Sequence, residues 1–341
     1  MPPLKELILG EIAENGPMPL SRYMTLCLQH PQYGYYTLQD PLGASGDFTT
    51  APEISQMFGE MLGLWLAQVW REQGGGAVKL IELGPGRGSL MADVLRVGQA
   101  VSGFQEAAEV WLVETSPALR DRQKAALPDI KVNWADSLAD VPSGPALILA
   151  NEFFDALPVR QFERTERGWA ERVIGLVDGA LRFGRAPALG NARLDKLFAK
   201  SPVGSIVELR DTDAIVADIG LRIARTGAAL IVDYGAWDGT GDTFQALEAH
   251  EMVDPLANPG GADLTAHVNF SHLALPGLRA QFDTQGRFLE RLGITPRAQA
   301  LAKGEAAELI AHQHRRLTHP DEMGTLFKVL ALTSPDAPPT P

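Results

Sequence analysis

Val78-Lys79-Leu80-Ile81-Glu82-Leu83-Gly84-Pro85-Gly86-Arg87-Gly88-Ser89-Leu90 reads as a short apolar strand with an acid near its end, a glycine-rich turn, and the start of a helix running on through Val94 and Leu95. Glycine lets a backbone turn that tightly and lets a ligand lie against it with no Cβ in the way. A strand, such a turn and a helix make the ligand-binding corner of a doubly wound α/β sheet.

The spacing selects among ligands. A dinucleotide corner needs G-x-G-x-x-G, with the helix N-terminus facing a pyrophosphate. Here the pattern is G-x-G-x-G, and Ser89 stands where the third glycine of that fingerprint would fall. Glu82, two residues before Gly84, places a carboxylate close to where a pyrophosphate would lie, which suits a cationic ligand better. S-adenosylmethionine carries a sulfonium and an ammonium and no phosphate. E-x-G-x-G-x-G after a strand is the usual opening of class I methyltransferases, and this segment resembles it. The competing reading is a glycine-rich turn with no ligand.

The chain has 341 residues, more than a usual single domain, so a large elaborated domain or a core with a smaller companion is expected. Thirty Lys and Arg against 42 Asp and Glu give a net charge of −12 with no basic run, which argues against a nucleic-acid or anionic-membrane surface. The longest apolar candidate, Met57 to Trp70, is broken by Gly59, Glu60, Gly63 and Gln68, so no membrane insertion is expected. Met1 to Gly16 has neither a signal-peptide nor a transit-peptide profile, and the single Cys27 fits a reducing compartment; a cytoplasmic location is expected. His312 and His314 are two apart on an expected helix and point to different faces, and no metal-ligand spacing is present.

Residues 1–76 are expected to form N-terminal helices and a long ordered loop, followed by the Gly74-Gly75-Gly76 break. Strands over 78–83, 109–114, 130–134, 146–150 and 227–234 alternate with helices, which calls for a mostly parallel sheet with right-handed crossovers. The methyltransferase-type core is thus assigned to 77–156 and 203–234. An antiparallel insertion occupies 157–202, with strands at 159–164, 169–176 and 181–183, and a lid-like excursion occupies 235–270. Helices near 271–280, 285–292 and 303–317 and a closing strand at 325–332 fill 271–333, and 334–341 reads as a disordered tail.

Ligands of such a sheet sit outside the C-terminal strand ends. Four ends carry acids: Glu82, Glu114, Asp136 and Glu152. Glu114 has the position of an acid that accepts hydrogen bonds from a ribose diol, and Asp136 would then face an adenine amino group. Asn151-Glu152-Phe153-Phe154-Asp155-Ala156-Leu157-Pro158 follows the fourth strand, where class I methyltransferases hold the acceptor. Two carboxylates beside an asparagine and two aromatics suit a guanidinium, whose donor fork pairs with carboxylates and whose charge is drawn to ring faces. The bland alternative makes Asp155 a turn cap and both phenylalanines core.

Taken together, Gly46-Asp47-Phe48-Thr49-Thr50-Ala51-Pro52-Glu53-Ile54-Ser55-Gln56-Met57-Phe58-Gly59-Glu60, the Glu82-to-Gly88 turn, Asn151-to-Pro158 and Asp233-Tyr234-Gly235 resemble the MidA family. That group of class I methyltransferase-like proteins includes the mitochondrial complex I assembly factor. The likeness is nearly chain-long, adding Tyr33-Gly34-Tyr35-Tyr36, Gly261 to Val268 and Gln285 to Leu289. It implies S-adenosylmethionine binding and, for mitochondrial members, symmetric dimethylation of an arginine on a core complex I subunit. Carried over, Glu82, Gly84, Gly86, Gly88 and Glu114 hold the cofactor, Asp47 and Thr49 close over it, and Glu152 and Asp155, beside Asn151, orient the acceptor. Without a presequence the chain resembles a bacterial member, whose protein substrate need not be the mitochondrial one. The homo-oligomeric state stays open. Rival readings are a small-molecule N- or O-methyltransferase with 157–202 and 235–270 as lids, a cofactor-binding assembly chaperone, and, weakest, a nicotinamide dehydrogenase.

Overall fold

Seven strands of the central sheet lie along one path: β1 Val78–Leu83, β2 Ala108–Val113, β3 Val132–Ala135, β4 Ala146–Asn151, β5 Gly227–Ala236, β6 Arg279–Thr284 and β7 Phe327–Thr333. Their spatial order in this computed structural model, which describes residues 3–38, 50–238 and 241–338, is β6-β7-β5-β4-β1-β2-β3. Neighbours from β5 to β3 are parallel, whereas β7 runs antiparallel to both β5 and β6. From β1 the chain moves to β2 and β3 on one side and to β4 and β5 on the other. The crevice of a sheet wound this way opens at the carboxyl end of β1. Register pairs Leu83 with Val113 and with Ala150, so Glu82, Glu114 and Asn151 arrive at one edge.

Both faces of the sheet are covered, as parallel strands require. Leu80, Leu112, Leu149 and Val232 face helices Gln56–Glu72 and Ser89–Gly98, while Ile81, Leu83, Ile148 and Ile231 face helix Asp213–Ile223. By alternation Glu82 lies on the same side as Leu80, under the helix that follows the glycine turn. Helix Gln56–Glu72 approaches Ser89–Gly98 very closely. A Cβ on Gly59 would stand 2.5 Å from the Asp93 Cβ, and one on Gly63 2.9 Å from the Val94 Cα. Beside this contact the buried Glu60 pairs with Arg96 at 2.6 Å and with Arg297 of helix Ile294–Leu301 at 2.7 Å, joining three helices.

The expected antiparallel strands are present at Val159–Thr165, Gly168–Val177 and Ala180–Arg185, and Met18–Pro19 joins them. The same sheet gains Ile206–Arg210, which the sequence reading did not anticipate; this strand pairs with Val159–Thr165 and buries Val207 beside Phe162. Gln245–Glu248, Glu251–Val253 and Asp263–Thr265 form a third, three-stranded sheet. The helix expected over 271–280 is not there. A single 3-10 turn, Phe270–His272, leads into β6, whose Phe282 packs on Phe270 and Trp237. Pairing along β7 wins over local helical preference there, as tertiary context often does for edge strands. The start of the tail is also docked, with Ser334 and Ala337 buried and Arg279 donating to the Pro335 carbonyl. No helix among the described residues is long and apolar enough to cross a membrane.

Candidate active site

The three glycines of the turn are left-handed, with φ of 64° at Gly84, 52° at Gly86 and 86° at Gly88. A side chain at Gly84 would meet the Phe153 ring at 2.9 Å, so the turn and the segment after β4 close on each other at this residue. Gly88 caps helix Ser89–Gly98 without a side-chain acceptor for its first turn, and Ser89 and Leu90 line the crevice. Glu82 is buried, and its Oε2 has no hydrogen-bond partner among the described residues. Burial pushes its carboxyl up to about 8, against an N–H from Met91. A buried acid with an unmet oxygen, beside bare glycine backbone, fits a ligand bearing an N–H cation, whose charge draws the carboxyl into its ionised form. The ammonium of S-adenosylmethionine meets that requirement.

Glu114 continues the site beyond the turn. It accepts from the Ser116 N–H at 2.8 Å, and burial raises its carboxyl against the N–H groups of Ser116 and Thr115. Gln123, fully buried on helix Pro117–Ala126, donates to the Gly86 carbonyl at 2.8 Å and to Glu114 at 3.4 Å, and accepts from the Trp134 indole at 2.8 Å. It fastens the turn to the ends of β2 and β3, a role the sequence reading missed. Asp136 lies apart from these buried groups. Its side chain is 77% exposed and pairs with Arg120 at 2.6 Å; Arg120 also donates to the Glu114 carbonyl at 2.8 Å.

Across the crevice, Asn151 ends β4 and Glu152 takes a left-handed φ of 49°, uncommon for a side chain of this size. The Asn151 amide donates to Glu152 at 3.1 Å, while its buried Oδ1 has no partner. Burial first and the neighbouring Asp155 second push Glu152 up to about 8; the Ala51 N–H opposes this and ties the acid to the short helix Ala51–Ile54. Asp155 is buried, accepts from the Tyr234 hydroxyl at 2.9 Å on Oδ2, and leaves Oδ1 without a partner among the described residues. Burial raises it, opposed by that hydroxyl, by Arg210 and by the backbone N–H groups of Ala156 and of Asp155 itself. The two phenylalanines divide: Phe154 is core, and Phe153 lies over Gly84.

Thr50, Pro52 and Glu53 line the same cleft as Glu82, Gly86 and Glu152, and Glu53 accepts from the Ser89 hydroxyl at 2.7 Å. Thus Ser89, where a dinucleotide site has glycine, anchors Glu53 of the segment that lines the cleft. Asp47 and Thr49 lie outside the described residues. Asp233, at the end of β5, was also overlooked as a site residue. Extending the acid-at-strand-end rule from four strands to the fifth would have found it.

A family model described as "Putative S-adenosyl-L-methionine-dependent methyltransferase" matches residues 61–287. The chain is 38% identical to the mitochondrial protein arginine methyltransferase NDUFAF7 of Danio rerio, over 95% of this chain and 85% of that one. It is 36% identical to the Homo sapiens protein of the same name, over 97% and 83%. A crystal structure of a Burkholderia thailandensis protein bound to S-adenosyl-homocysteine superimposes with a TM-score of 0.83 at 30% identity, covering 97% of this chain and 91% of that one. The seven-strand order, the glycine turn with its buried acid, and these likenesses agree: the chain belongs to this family of S-adenosyl-L-methionine-dependent methyltransferases, with a class I fold, alongside the NDUFAF7 proteins.

Proposed function

We propose that the enzyme methylates an arginine side chain of a protein, with the Asn151–Asp155 turn as the acceptor site. The observation that carries this reading is the pair of buried carboxyls on the turn after β4, Glu152, which lines the cleft with the glycine turn, and Asp155, which has an unpartnered oxygen among the described residues. The names of the NDUFAF7 relatives support it. Glu82, Gly84, Gly86 and Gly88 are assigned the methionine portion of the cofactor, Glu114 its ribose, Asp136 its adenine, and Asp47 and Thr49 the cover. When bound, S-adenosylmethionine supplies a methyl group on a cationic sulfur, open to in-line displacement.

The chain supplies alignment and charge. A guanidinium brought to the turn meets two acids held mostly neutral by burial, and its charge draws them into the ionised form. Paired with them, it localises its positive charge away from the attacking nitrogen. As that nitrogen gains the methyl carbon and the carbon–sulfur bond breaks, it loses one proton, which Glu152 accepts and passes to water. The Asn151 amide keeps Glu152 turned inward. The finer proposal is symmetric dimethylation of an arginine on a respiratory complex I core subunit, by an enzyme working in the cytoplasm.

Labelled methyl transfer to the proteins of a lysate lacking this gene product tests the assignment. Glu152→Gln and Asp155→Asn are each expected to lower transfer by about 100-fold or more, with S-adenosyl-homocysteine binding, measured by calorimetry, kept within about threefold. Near-wild-type transfer by both variants overturns it.

A further inference from the structure

Asp233 and Tyr234 have no role in the chemistry above, yet their polar atoms converge on the acceptor turn. Asp233 is fully buried, and one of its oxygens accepts the N–H groups of Phe154 at 3.1 Å and Asp155 at 3.2 Å. The other accepts the N–H of Tyr234 at 2.9 Å. The Tyr234 ring is held independently of its hydroxyl, edge-on to His267 at 5.3 Å and to Phe327 at 5.6 Å. Packing therefore aims the hydroxyl, and it lands on Asp155 Oδ2 at 2.9 Å while Oδ1 stays unpartnered.

We propose that Asp233 and Tyr234 are positioning residues of the acceptor site: Asp233 fixes the backbone of the turn, and the Tyr234 hydroxyl occupies one oxygen of Asp155 so that the other is presented to an N–H of the acceptor guanidinium. The proposal rests on the function assigned above. The remaining charged and titratable groups around Asp155 leave that oxygen clear. Arg210 donates to the carbonyls of His267 at 2.7 Å, Asp155 at 3.2 Å and Leu157 at 3.3 Å, and to that of Ala266, so it offsets negative charge without covering the carboxylate. Tyr36 donates to Asp263 at 3.2 Å. Glu152 is held by Asn151.

Tyr234→Phe keeps the packed ring and deletes the hydroxyl. That hydroxyl favours the ionised form of Asp155, so its loss raises the acid further, and a higher pH is needed to ionise it. In Tyr234→Phe the rising limb of the kcat–pH profile is expected to move up by roughly one unit, kcat at neutral pH to fall about tenfold, and S-adenosyl-homocysteine affinity to stay unchanged. Carboxyl 13C NMR, with the Asp155 signal identified by Asp155→Asn, is expected to show the same upward shift with no acceptor present. An Asp155 titration identical in wild type and Tyr234→Phe overturns the proposal, as does a shifted titration with an unmoved rate profile. Wild-type enzyme that methylates no arginine overturns the function assigned above instead, and the titration then decides the Tyr234 contact on its own. Asp233→Asn turns an amide towards the N–H groups of the turn; folded Asp233→Asn protein with wild-type transfer removes Asp233 from the proposal.

Discussion

At the scale of the residue, the crevice is defined by polar atoms left unmet. Glu82 Oε2 and Asp155 Oδ1 are buried without partners, which is costly unless a ligand supplies the missing donor. Glu82→Gln keeps the size of the side chain and removes the charge. It is expected to weaken S-adenosyl-homocysteine binding by roughly tenfold to 100-fold, the worth of one charge-assisted hydrogen bond; calorimetric affinity equal to wild type contradicts the role. Glu82, Glu114 and Glu152 were legible in the sequence because a strand followed by an acid has one geometric meaning in this fold. Gln123 and Arg210 were not. Gln123 looks like an ordinary polar position on a helix, and its partners Gly86 and Trp134 are brought to it by tertiary structure alone. Arg210 sits on a strand that went unread, and its partners come from two distant loops.

At the scale of the element, the close approach of helices Gln56–Glu72 and Ser89–Gly98 fixes where Glu53 meets Ser89 beside the glycine turn. Gly59 and Gly63, four apart, form the smooth stripe that allows it. Helix propensity alone makes any helical Gly→Ala change favourable by about 0.5–1 kcal/mol. Gly10→Ala, on helix Pro3–Asn15 with open space around it, is expected to gain that amount. Gly63→Ala, whose new methyl would stand 2.6 Å from Val97 Cγ1, is expected to lose about 1–3 kcal/mol instead. Urea unfolding of the two variants reads the opposite signs; a gain at both positions contradicts the packing described. The long periodic elements were legible from their apolar spacing. The span 271–284 was misread because its pattern is short and its strand exists only through pairing with β7, which lies more than 40 residues further along the chain.

At the scale of the whole molecule, a parallel sheet with one antiparallel strand brings the glycine turn and the Asn151–Asp155 turn to a single edge. The N-terminal helices, the second sheet and the third sheet share a separate apolar cluster that includes Leu4, Ile8, Tyr23, Ile174 and Leu264. That cluster includes Val159, whose strand pairs with the one bearing Arg210, and Leu264 beside Asp263, and Arg210 donates to the Asp155 carbonyl, so the additions to the core bear on the Asn151–Asp155 turn. The sequence made the core readable through its alternation of elements, and on the far side of the crevice only the Asn151–Asp155 turn, because residues as distant in sequence as Tyr36 and Asp263 meet there. The most direct test of the account is acid hydrolysis of the protein labelled by this enzyme and S-adenosylmethionine, with the labelled amino acid identified by chromatography. Label in methylated arginine, with symmetric dimethylarginine as the end product, is the expected result. Label recovered in any other amino acid, or in small molecules alone, would contradict the reading of the Asn151–Asp155 turn as an arginine site.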